Sequence, residues 1–317
     1  MSLPAVLLAI DLPAASLARL RAHYAVHQER THEGRMALAA AHGDAIRAIL
    51  TNGTTLIPGE LIERLPRLGI ICAQGVGHEG VDLAAARARG IVVTNGPSTN
   101  ANCVADHAMA LLLAVVRDIR GNDASVRAGG WRVGDTMRPI VTGKRVGILG
   151  LGDIGARIAR RCAAFDMPVA YHNRRPVPGL ALAYAPSPLA LAEGSDIMVV
   201  VVPGGAGTRH LVGRAELEAL GPDGFLVNVG RGSVVDTQAL VAALAGGRLA
   251  GAALDVIDGE PVVPQALREL PNVVITPHIA GRSPESVAAT IGLVLQNLAA
   301  HFEGRPVLTP VPGGAAP

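Results

Sequence analysis

Three segments in the second half of the chain carry side chains that could do chemistry together. They contain Arg231, Glu260 and His278, and each stands just after a predicted strand or in the loop beyond it. Taken separately, they have ordinary explanations: a surface arginine, an acidic loop and a histidine after a proline turn. Taken together, they place a cation, a carboxylate and an imidazole at strand ends facing one crevice of an open α/β sheet. This set suits hydride addition to a ketone, because a positioned acid and a fixed cation both stabilise the developing alkoxide charge.

A glycine-rich loop gives the strongest local signal for a bound ligand. It directly follows the predicted strand Arg145 to Leu149 and opens an amphipathic helix. The first glycine permits a tight turn, the second lets the backbone approach a pyrophosphate, and the third lets helix and strand pack closely. The free N–H groups and the positive dipole end of the helix N-terminus then face the phosphates. The candidate cofactor-binding residues of this loop are Gly150, Gly152, Asp153, Ile154 and Gly155.

A second match to the same glycine spacing, from Gly75 to Gly80, also follows a predicted strand. We interpret it as a turn, because the next strand comes too soon and carries no ribose-binding residue. A turn at the carboxyl end of a strand still lines a ligand crevice in an open α/β sheet. Exposed N–H groups there, near Val76 and Gly77, could hold a substrate carboxylate.

In a dinucleotide-binding fold, the residues at the end of the strand that follows the glycine-rich loop and its helix decide between NAD and NADP. NAD sites place an Asp or Glu there, which accepts hydrogen bonds from the ribose 2′-OH and repels a 2′-phosphate. This chain instead has Asn173, Arg174 and Arg175. Charge-assisted hydrogen bonds to phosphate contribute roughly 1.5–3 kcal/mol each, so NADP(H) is favoured and NAD(H) is the alternative. The other interpretation is a solvated basic turn beside the adenine.

The elements that must position these residues follow an alternating pattern. Short Val-, Ile- and Leu-rich runs alternate with Ala-rich stretches of helical period, which indicates parallel strands joined by crossover helices. A helical stretch from Asn100 to Arg117 separates two such series and is a candidate connector between domains; its Asp106 and His107 are assigned to packing and capping. The predicted strands are Val6 to Ile10, Ala48 to Thr51, Leu68 to Ala73, Ile91 to Thr94, Arg145 to Leu149, Val169 to Tyr171, Ile197 to Val202, Phe225 to Val229, Ala252 to Val256 and Val273 to Ile275.

Composition and charge exclude several other classes of protein. A length of 317 residues favours two domains, at roughly 150 residues per domain. Apolar residues make up 50% of the chain but aromatic residues only 2%, which leaves no stacking platform for single-stranded nucleic acid. The net charge of +2 is too small for a general phosphate-binding surface. We therefore expect no nucleic-acid partner.

Cysteine use and the N-terminus indicate the compartment. The three cysteines are widely spaced and form neither a disulfide framework nor a metal motif, so we expect a reduced cytoplasmic protein without a metal site. The segment Met1 to Ile10 is apolar but has no basic region and meets Asp11 at once, which predicts a buried strand and no signal peptide. The longest apolar run, Ala108 to Val116, is too short to span a membrane.

At the residues that could do chemistry, the chain resembles the D-isomer-specific 2-hydroxyacid dehydrogenase family, and within it the glyoxylate/hydroxypyruvate reductase-like members. The resemblance runs from about Ala48 to Phe302 and rests on GLGDIG, the Arg in NVGRG, the Glu in GEP and the His in TPH. It implies an α/β fold of two Rossmann-like or flavodoxin-like doubly wound parallel-sheet domains, with the active site in the cleft between them. The implied domains are 1–98 plus 283–317 for the substrate and 99–282 for the dinucleotide.

The resemblance also implies a role for each candidate catalytic residue. Arg231 would clamp the substrate carboxylate and carbonyl, helped by N–H groups near Val76 and Gly77. Protonated His278 would give its proton to the 2-oxo oxygen while hydride arrives from the nicotinamide. Glu260 would hydrogen-bond the other ring nitrogen of that histidine.

Further positions are implied to hold the cofactor. Asp255 would hold its nicotinamide side, and Val202 and Pro203 would line its cleft. The following Gly204 and Gly205 make this wall more glycine-rich than the family pattern.

A carboxylate beside an imidazole has a predictable effect on pH dependence. It raises the pKa of the imidazole above its ordinary value of about 6.5. The acid form then persists at neutral pH, which suits reduction. We therefore expect Glu260→Gln to move the alkaline limb of reductive activity to lower pH.

Several alternatives stay open. Glu260 argues against a formate dehydrogenase, since those relatives need no proton donor and pair the histidine with Gln. A phosphoglycerate dehydrogenase-like enzyme is one alternative, although the chain ends soon after its last helix, without the regulatory domain that many of those enzymes carry. A nicotinamide-sensing, corepressor-like binding protein is the other, because such proteins resemble the dehydrogenases at the same three positions. The resemblance also implies a homodimer joined through the coenzyme domain. Whether His78, Trp131 and Arg282 touch substrate stays open.

Overall fold

The computed structural model describes residues 3–132 and 137–312, and the chain divides into two compact units. The first unit comprises Met1–Asn100 with Arg282–Pro317, and the second comprises Ala101–Gly281. The last helix of the chain therefore completes the first unit. Among the described residues, no helix is both long and apolar enough to cross a membrane.

The first unit is built on a parallel five-stranded sheet. Its strands are β1 Ala5–Leu8, β2 Ala25–Gln28, β3 Ile46–Asn52, β4 Ile70–Gln74 and β5 Val92–Thr94. Its helices are α1 Ala14–Arg21, α2 His32–His42, α3 Gly59–Glu63, α4 Leu83–Ala88 and, from the end of the chain, α12 Pro284–Phe302. The strand order β2-β1-β3-β4-β5 is that of flavodoxin-like folds.

Both faces of this sheet are buried, which explains the nearly continuous apolar runs of its strands. Because side chains alternate along a strand, Ile49 and Ile71 lie on the face covered by α2, α3 and α4. Leu50 and Cys72 lie on the other face, where α1 and α12 cover them. The core on both faces is mainly aliphatic, since the chain has few aromatic residues.

The second unit is built on a parallel seven-stranded sheet. Its strands are β6 Val146–Leu149, β7 Val169–His172, β8 Ala183–Tyr184, β9 Ile197–Val200, β10 Phe225–Asn228, β11 Gly251–Leu254 and β12 Val273–Ile275. Its helices are α5 Ala101–Val116, α6 Ile119–Arg127, α7 Asp153–Ala164, α8 Pro188–Glu193, α9 Arg214–Leu220, α10 Thr237–Ala245 and α11 Gln265–Glu269. The strand order β12-β11-β10-β9-β6-β7-β8 reverses beside β6, as in Rossmann folds.

The predicted α/β class with two doubly wound parallel sheets is confirmed. Strand β2 was missed because its sequence, AVHQ, is short, polar at its end and only half-buried. Strand β8 was missed because two residues carry no periodicity. The stretch expected to connect the domains is α5, which packs within the second unit against α7, β10 and β11. Its buried face, which includes Leu112 and Val116, makes it a core helix of that unit.

Candidate active site

The glycine-rich loop between β6 and α7 has the geometry of a phosphate cradle. Gly150 has φ +105°, and a Cβ there would lie 2.7 Å from Cγ1 of Val202. A Cβ on Gly155 would overlap the carbonyl oxygen of Gly150. At Gly152, by contrast, a Cβ would meet nothing within 4 Å among the described residues. The first and third glycines are thus required by close packing, while the second borders open space that a pyrophosphate can occupy.

The start of α7 also suits an anionic ligand. Its N-cap is Gly152, which has no side chain to accept the free N–H groups of the first turn. These donors and the positive end of the helix dipole fit the phosphates of a dinucleotide. Asp153 does not cap the helix; its carboxylate pairs with Arg157 one turn later, at 3.0 Å.

Asn173, at the end of β7, holds this loop from the side. Its Oδ1 accepts a hydrogen bond from Leu151 N at 2.6 Å, and its Nδ2 donates to Leu151 O at 3.3 Å. The hydroxyl of Tyr184 donates to the carbonyl of Asn173 at 3.1 Å. The Asn173 side chain is therefore engaged with the loop backbone, which fixes the position of the loop relative to the following arginines.

Arg174 and Arg175 are exposed beside the loop. Neither has a hydrogen bond or an ion pair with another described residue. No acidic side chain stands at the end of β7, where a carboxylate would accept from a ribose hydroxyl. The local charge at the end of β7 is therefore positive.

Glu260 and His278 form a direct hydrogen-bonded pair in the second unit. The distance from His278 Nδ1 to Glu260 Oε1 is 2.5 Å, and the two side chains are 39% and 33% exposed. Burial acts to raise the pKa of Glu260, but the hydrogen bond and charge of His278, with contributions from Ile257 N–H and Arg231, hold that pKa below its ordinary value. Because Nδ1 is engaged, Nε2 is the ring nitrogen available for proton transfer.

The backbone at His278 has φ +54°, in the left-handed region, and neighbouring groups hold it there. Its N–H donates to the carbonyl of Asp255 at 2.8 Å. The Asp255 carboxylate then accepts from the N–H groups of Ile279 at 2.9 Å and Ala280 at 2.8 Å. One aspartate at the end of β11 thus fixes three consecutive peptide groups that carry the imidazole.

The Asp255 side chain is only 1% exposed, and its remaining partners come from polar side chains. The hydroxyl of Thr276 donates to Asp255 Oδ1 at 2.6 Å. His107, on α5, places Nε2 3.0 Å from that hydroxyl and 3.5 Å from Asp255 Oδ1. His107, assigned from sequence to packing, therefore lies directly behind the turn that carries His278.

Arg231 follows β10 and stands on the same sheet edge. Asn228, at 1% exposure, accepts from Gly230 N at 3.0 Å and donates to Arg231 O at 3.1 Å, which locks the backbone between them. A Cβ on Gly204 would lie 3.2 Å from Cγ of Arg231, so the loop after β9 packs against this arginine. The charge of Arg231 reaches Glu260, whose pKa it helps to lower.

The three polar side chains therefore meet at one edge of the sheet. β10, β11 and β12 are neighbours and parallel, so their carboxyl ends lie side by side. Arg231, Glu260 and His278 follow these ends. A fixed cation, an imidazole with one free nitrogen and a carboxylate that holds the imidazole can stabilise and protonate a developing alkoxide.

In the first unit, the turn after β4 presents unsatisfied backbone donors. Gly75 has φ +81°, and Val76 is 42% exposed. The N–H groups of Val76 and Gly77 have no hydrogen-bond acceptor among the described residues. Consecutive free N–H groups at a turn form a concavity that suits an anion such as a carboxylate.

Comparison with known proteins identifies the family. Residues 109–280, more than half of the chain, match the family described as "D-isomer specific 2-hydroxyacid dehydrogenase, NAD binding domain". The chain is 44% identical over 273 residues to hydroxyphenylpyruvate reductase of Plectranthus scutellarioides, which covers 86% of this chain and 87% of that protein. The chain belongs to the D-isomer-specific 2-hydroxyacid dehydrogenase family. It is an NAD(P)-dependent D-2-hydroxyacid dehydrogenase, and the matched residues lie within its second unit.

Two further relatives of the dehydrogenase carry names that concern substrate and cofactor. Glyoxylate/hydroxypyruvate reductase A of Arabidopsis thaliana is 44% identical over 275 residues, which covers 86% of this chain and 88% of that protein. A crystal structure of an NADPH-dependent glyoxylate/hydroxypyruvate reductase from Sinorhizobium meliloti, in complex with NADP and malonate, has a TM-score of 0.91 and 40% identity. It covers 99% of this chain and 98% of that chain.

The structure of the dehydrogenase brings some of the predicted site residues together and places others beside the glycine-rich loop. Glu260 and His278 are in contact, and Arg231 stands beside them. Val202 packs on Gly150, and Pro203 is exposed next to it. The roles assigned to these five residues in catalysis and cofactor binding stay predictions.

Sequence reasoning missed the polar residues behind these sites. Thr276 and His107 support the histidine turn, and Asn95 supports the Val76 turn. Nothing in their spacing signals this, since the partners are far apart in the chain. Trp131 is 77% exposed; in the first unit, His78 is half-buried and Arg282 is exposed.

Proposed function

We propose that the dehydrogenase reduces a small 2-oxo acid, of the glyoxylate or hydroxypyruvate type, to the D-2-hydroxy acid with NADPH. The observation that carries the proposal is the Glu260–His278 hydrogen bond beside Arg231, on three neighbouring strand ends. Relatives named as glyoxylate/hydroxypyruvate reductases support the substrate class, at 40–44% identity. The malonate in the Sinorhizobium meliloti structure supports a small carboxylate as ligand.

Each residue then has one task in the reduction. Arg231 binds the carboxylate and polarises the 2-oxo group, and the N–H groups of Val76 and Gly77 bind the carboxylate as well. NADPH, when bound, supplies the hydride. His278 gives the proton of Nε2 to the carbonyl oxygen as alkoxide charge develops, and ionised Glu260 stabilises the protonated ring through Nδ1.

The preference for NADPH rests on the end of β7. Arg174 and Arg175 are exposed there without ion-pair partners among the described residues, so both guanidinium groups can bind a 2′-phosphate. Asn173 serves this site indirectly, because it holds the loop that binds the pyrophosphate. NADH lacks the 2′-phosphate and therefore gains nothing from the two charges.

A homodimer is the proposed assembly. In the second unit, α6 and the segment after it expose large apolar side chains: Ile119, Val126, Trp131, Met137 and Ile140. Trp131 and Met137 are 77% and 82% exposed. Monomeric proteins rarely leave this much apolar surface in water, and a second copy of the chain would bury it.

The experiment that tests the activity follows NADPH absorbance with the purified protein and a panel of 2-oxo acids, each run also with NADH. We expect turnover with glyoxylate or hydroxypyruvate and a higher kcat/KM with NADPH. Binding of NADPH is measured separately by its fluorescence. Cofactor binding without turnover of any small 2-oxo acid would reject the reductase and favour the nicotinamide-sensing binding protein.

A further inference from the structure

The two peptide groups that precede Val76 and Gly77 are both held from one side. The carbonyl of Gly75 accepts from Gly96 N at 2.6 Å, and the carbonyl of Val76 accepts from Asn95 Nδ2 at 2.7 Å. In a trans peptide, the carbonyl and the following N–H point in opposite directions. The N–H groups of Val76 and Gly77 are therefore aimed away from Asn95 and Gly96. Asn95 thus sets the direction of the donors that the proposed function assigns to the substrate carboxylate.

Asn95 is itself held by a residue near the end of the chain. The hydroxyl of Thr309 donates to Asn95 O at 2.6 Å, and Asn95 N donates to Thr309 O at 3.2 Å. The two residues are 214 positions apart. An antiparallel bridge between Thr94 and Pro310 continues this contact at the end of β5. The backbone of Asn95 therefore cannot rotate without moving residues 308–310, which we call the C-terminal segment.

Thr309 is held in turn by Asn297, a buried amide on α12 with 1% exposure. Asn297 Nδ2 donates to the Thr309 hydroxyl at 3.0 Å, and Oδ1 accepts from Leu308 N at 2.8 Å and Thr309 N at 3.3 Å. Its remaining hydrogen bond goes to Leu293 O in its own helix. All its capacity is thus used.

Asn297 is a buried amide among apolar positions of α12, so its presence requires an explanation. The neighbouring core positions of α12 are apolar, among them Val294 and Leu298. An aliphatic side chain would fill that core equally well. Burying an amide costs free energy unless its hydrogen bonds are made, so the amide contributes only through those bonds. Apart from Leu293, the partners of this amide belong to the segment that holds Asn95. The amide therefore serves the segment and, through it, the turn at Val76.

We propose that Asn95, Thr309 and Asn297 are positioning residues for the substrate carboxylate. They form one hydrogen-bonded series that runs from α12 through the C-terminal segment to the Val76 carbonyl, and it keeps the Val76 and Gly77 N–H groups pointed at their ligand. The inference rests on the proposed function, because it needs the carboxylate to bind these two donors. We assign none of the three side chains a contact with substrate or cofactor.

The test uses isosteric substitutions in the full-length enzyme. Thr309→Val removes the hydroxyl but keeps the shape, Thr309→Ser restores the hydroxyl, and Asn297→Leu removes the amide. We expect KM for glyoxylate and the inhibition constant of malonate to rise about fivefold in T309V and N297L, the effect of one lost neutral hydrogen bond. We expect kcat and KM for NADPH to stay unchanged, since the carboxylate is bound equally before and during hydride transfer. T309S should restore the wild-type KM.

The matched control is Thr51→Val in β3 of the same unit. The buried hydroxyl of Thr51 has no hydrogen-bond partner among the described residues, so T51V should change neither KM. A double-mutant cycle adds a readout that fold stability does not affect. Since Thr309 acts through Asn95, the double variant N95A/T309V should raise KM no further than N95A alone.

Two results would overturn the inference while leaving the reductase intact. One is an active T309V enzyme with the wild-type KM for glyoxylate. The other is an equal loss of kcat and of both affinities in T309V and N297L, in proportion to unfolded protein, with no rescue by T309S. A wild-type enzyme that binds NADPH but reduces no 2-oxo acid would instead reject the proposed function itself.

Discussion

The hydrogen bond between Glu260 and His278 determines how the site responds to pH. The pKa of Glu260 is held below its ordinary value, mainly because the hydrogen bond and charge of His278 outweigh the effect of burial. A carboxyl with a lowered pKa is ionised at neutral pH and loses its charge only as the pH falls through that lowered pKa. Glu260 therefore limits activity on the acid side.

Replacement of Glu260 by Gln should change both limbs of the pH profile. Gln keeps the size of Glu but carries no charge to stabilise a protonated ring, so the alkaline limb of reductive kcat/KM should move to lower pH. The acid limb that belongs to Glu260 should disappear. At neutral pH, kcat/KM should fall by roughly tenfold to a hundredfold, which is part of what general acid catalysis contributes.

The measurement is kcat/KM for glyoxylate across the pH range, with circular dichroism to show that E260Q is folded. His278→Ala is the companion variant, and it should lower kcat/KM at every pH, because the proposed proton donor is gone. A pH profile in E260Q that coincides with that of the wild type would show that Glu260 has no role in holding the proton.

Arg174 and Arg175 should decide the choice of cofactor. Replacing both with Ala removes the cations that we propose bind the 2′-phosphate. Since a charge-assisted hydrogen bond contributes about 1.5–3 kcal/mol, KM for NADPH should rise roughly tenfold to a hundredfold, with little change in KM for NADH. Arg160→Ala, at an exposed position on α7, is the control for a lost surface charge. An equal change in both KM values would contradict the assignment.

At the scale of elements, the β6–loop–α7 unit separates packing from ligand binding. A Cβ on Gly155 would overlap the carbonyl oxygen of Gly150, whereas a Cβ on Gly152 would meet nothing within 4 Å among the described residues. The same substitution at these two positions should therefore have different consequences. A Cβ at Gly155 must push helix and strand apart, while a Cβ at Gly152 enters the open space where we propose that the pyrophosphate binds.

Gly155→Ala should lower the free energy of unfolding by about 1–3 kcal/mol, the usual cost of overpacking, and weaken NADPH binding as well. Gly152→Ala should weaken NADPH binding and leave the free energy of unfolding unchanged. Urea denaturation and fluorescence titration with NADPH measure the two quantities. If G152A binds NADPH as tightly as the wild type, the pyrophosphate does not lie against this glycine.

The turn at His278 shows how a fold holds a strained residue. Three consecutive peptide groups are hydrogen-bonded to one buried aspartate, Asp255. Thr276, which follows β12, donates to its carboxylate, and His107 on α5 contacts Thr276. A left-handed backbone at a non-glycine residue persists only where its surroundings hold it. Here the surroundings come from β11, β12 and α5, so the direction of the imidazole depends on the whole second unit.

At the scale of the molecule, the exposed apolar side chains of α6 and the following segment predict a dimer. Size-exclusion chromatography with light scattering should give twice the mass of one 32.4 kDa chain. Trp131→Glu should shift the mass toward one chain, because a charge in an apolar interface is costly. Leu56→Glu, at a position that is 67% exposed in the first unit, is the control. A mass of one chain for the wild type at micromolar concentration would reject the dimer.

Much of this protein follows from its sequence alone. Parallel strands buried on both faces need continuous apolar runs, so ten of its strands and the two-sheet class are visible in the order of residues. The glycine-rich loop can be recognised in the sequence because each of its three glycines meets a local need: a positive φ, space for a ligand, or close packing. Arg231, Glu260 and His278 are visible because parallel strands place their carboxyl ends side by side.

Tertiary structure alone decided what stands behind these residues. His107 meets Thr276 across 169 positions, and Thr309 meets Asn95 across 214. No local periodicity links such partners, since a side-chain hydrogen bond depends on where the chain returns after folding. Asn173 shows the same limit: its sequence position suggests the cofactor, but its amide is bonded to the loop backbone. Sequence indicates which groups can do the chemistry, and only the fold decides which neighbours hold each of them in place.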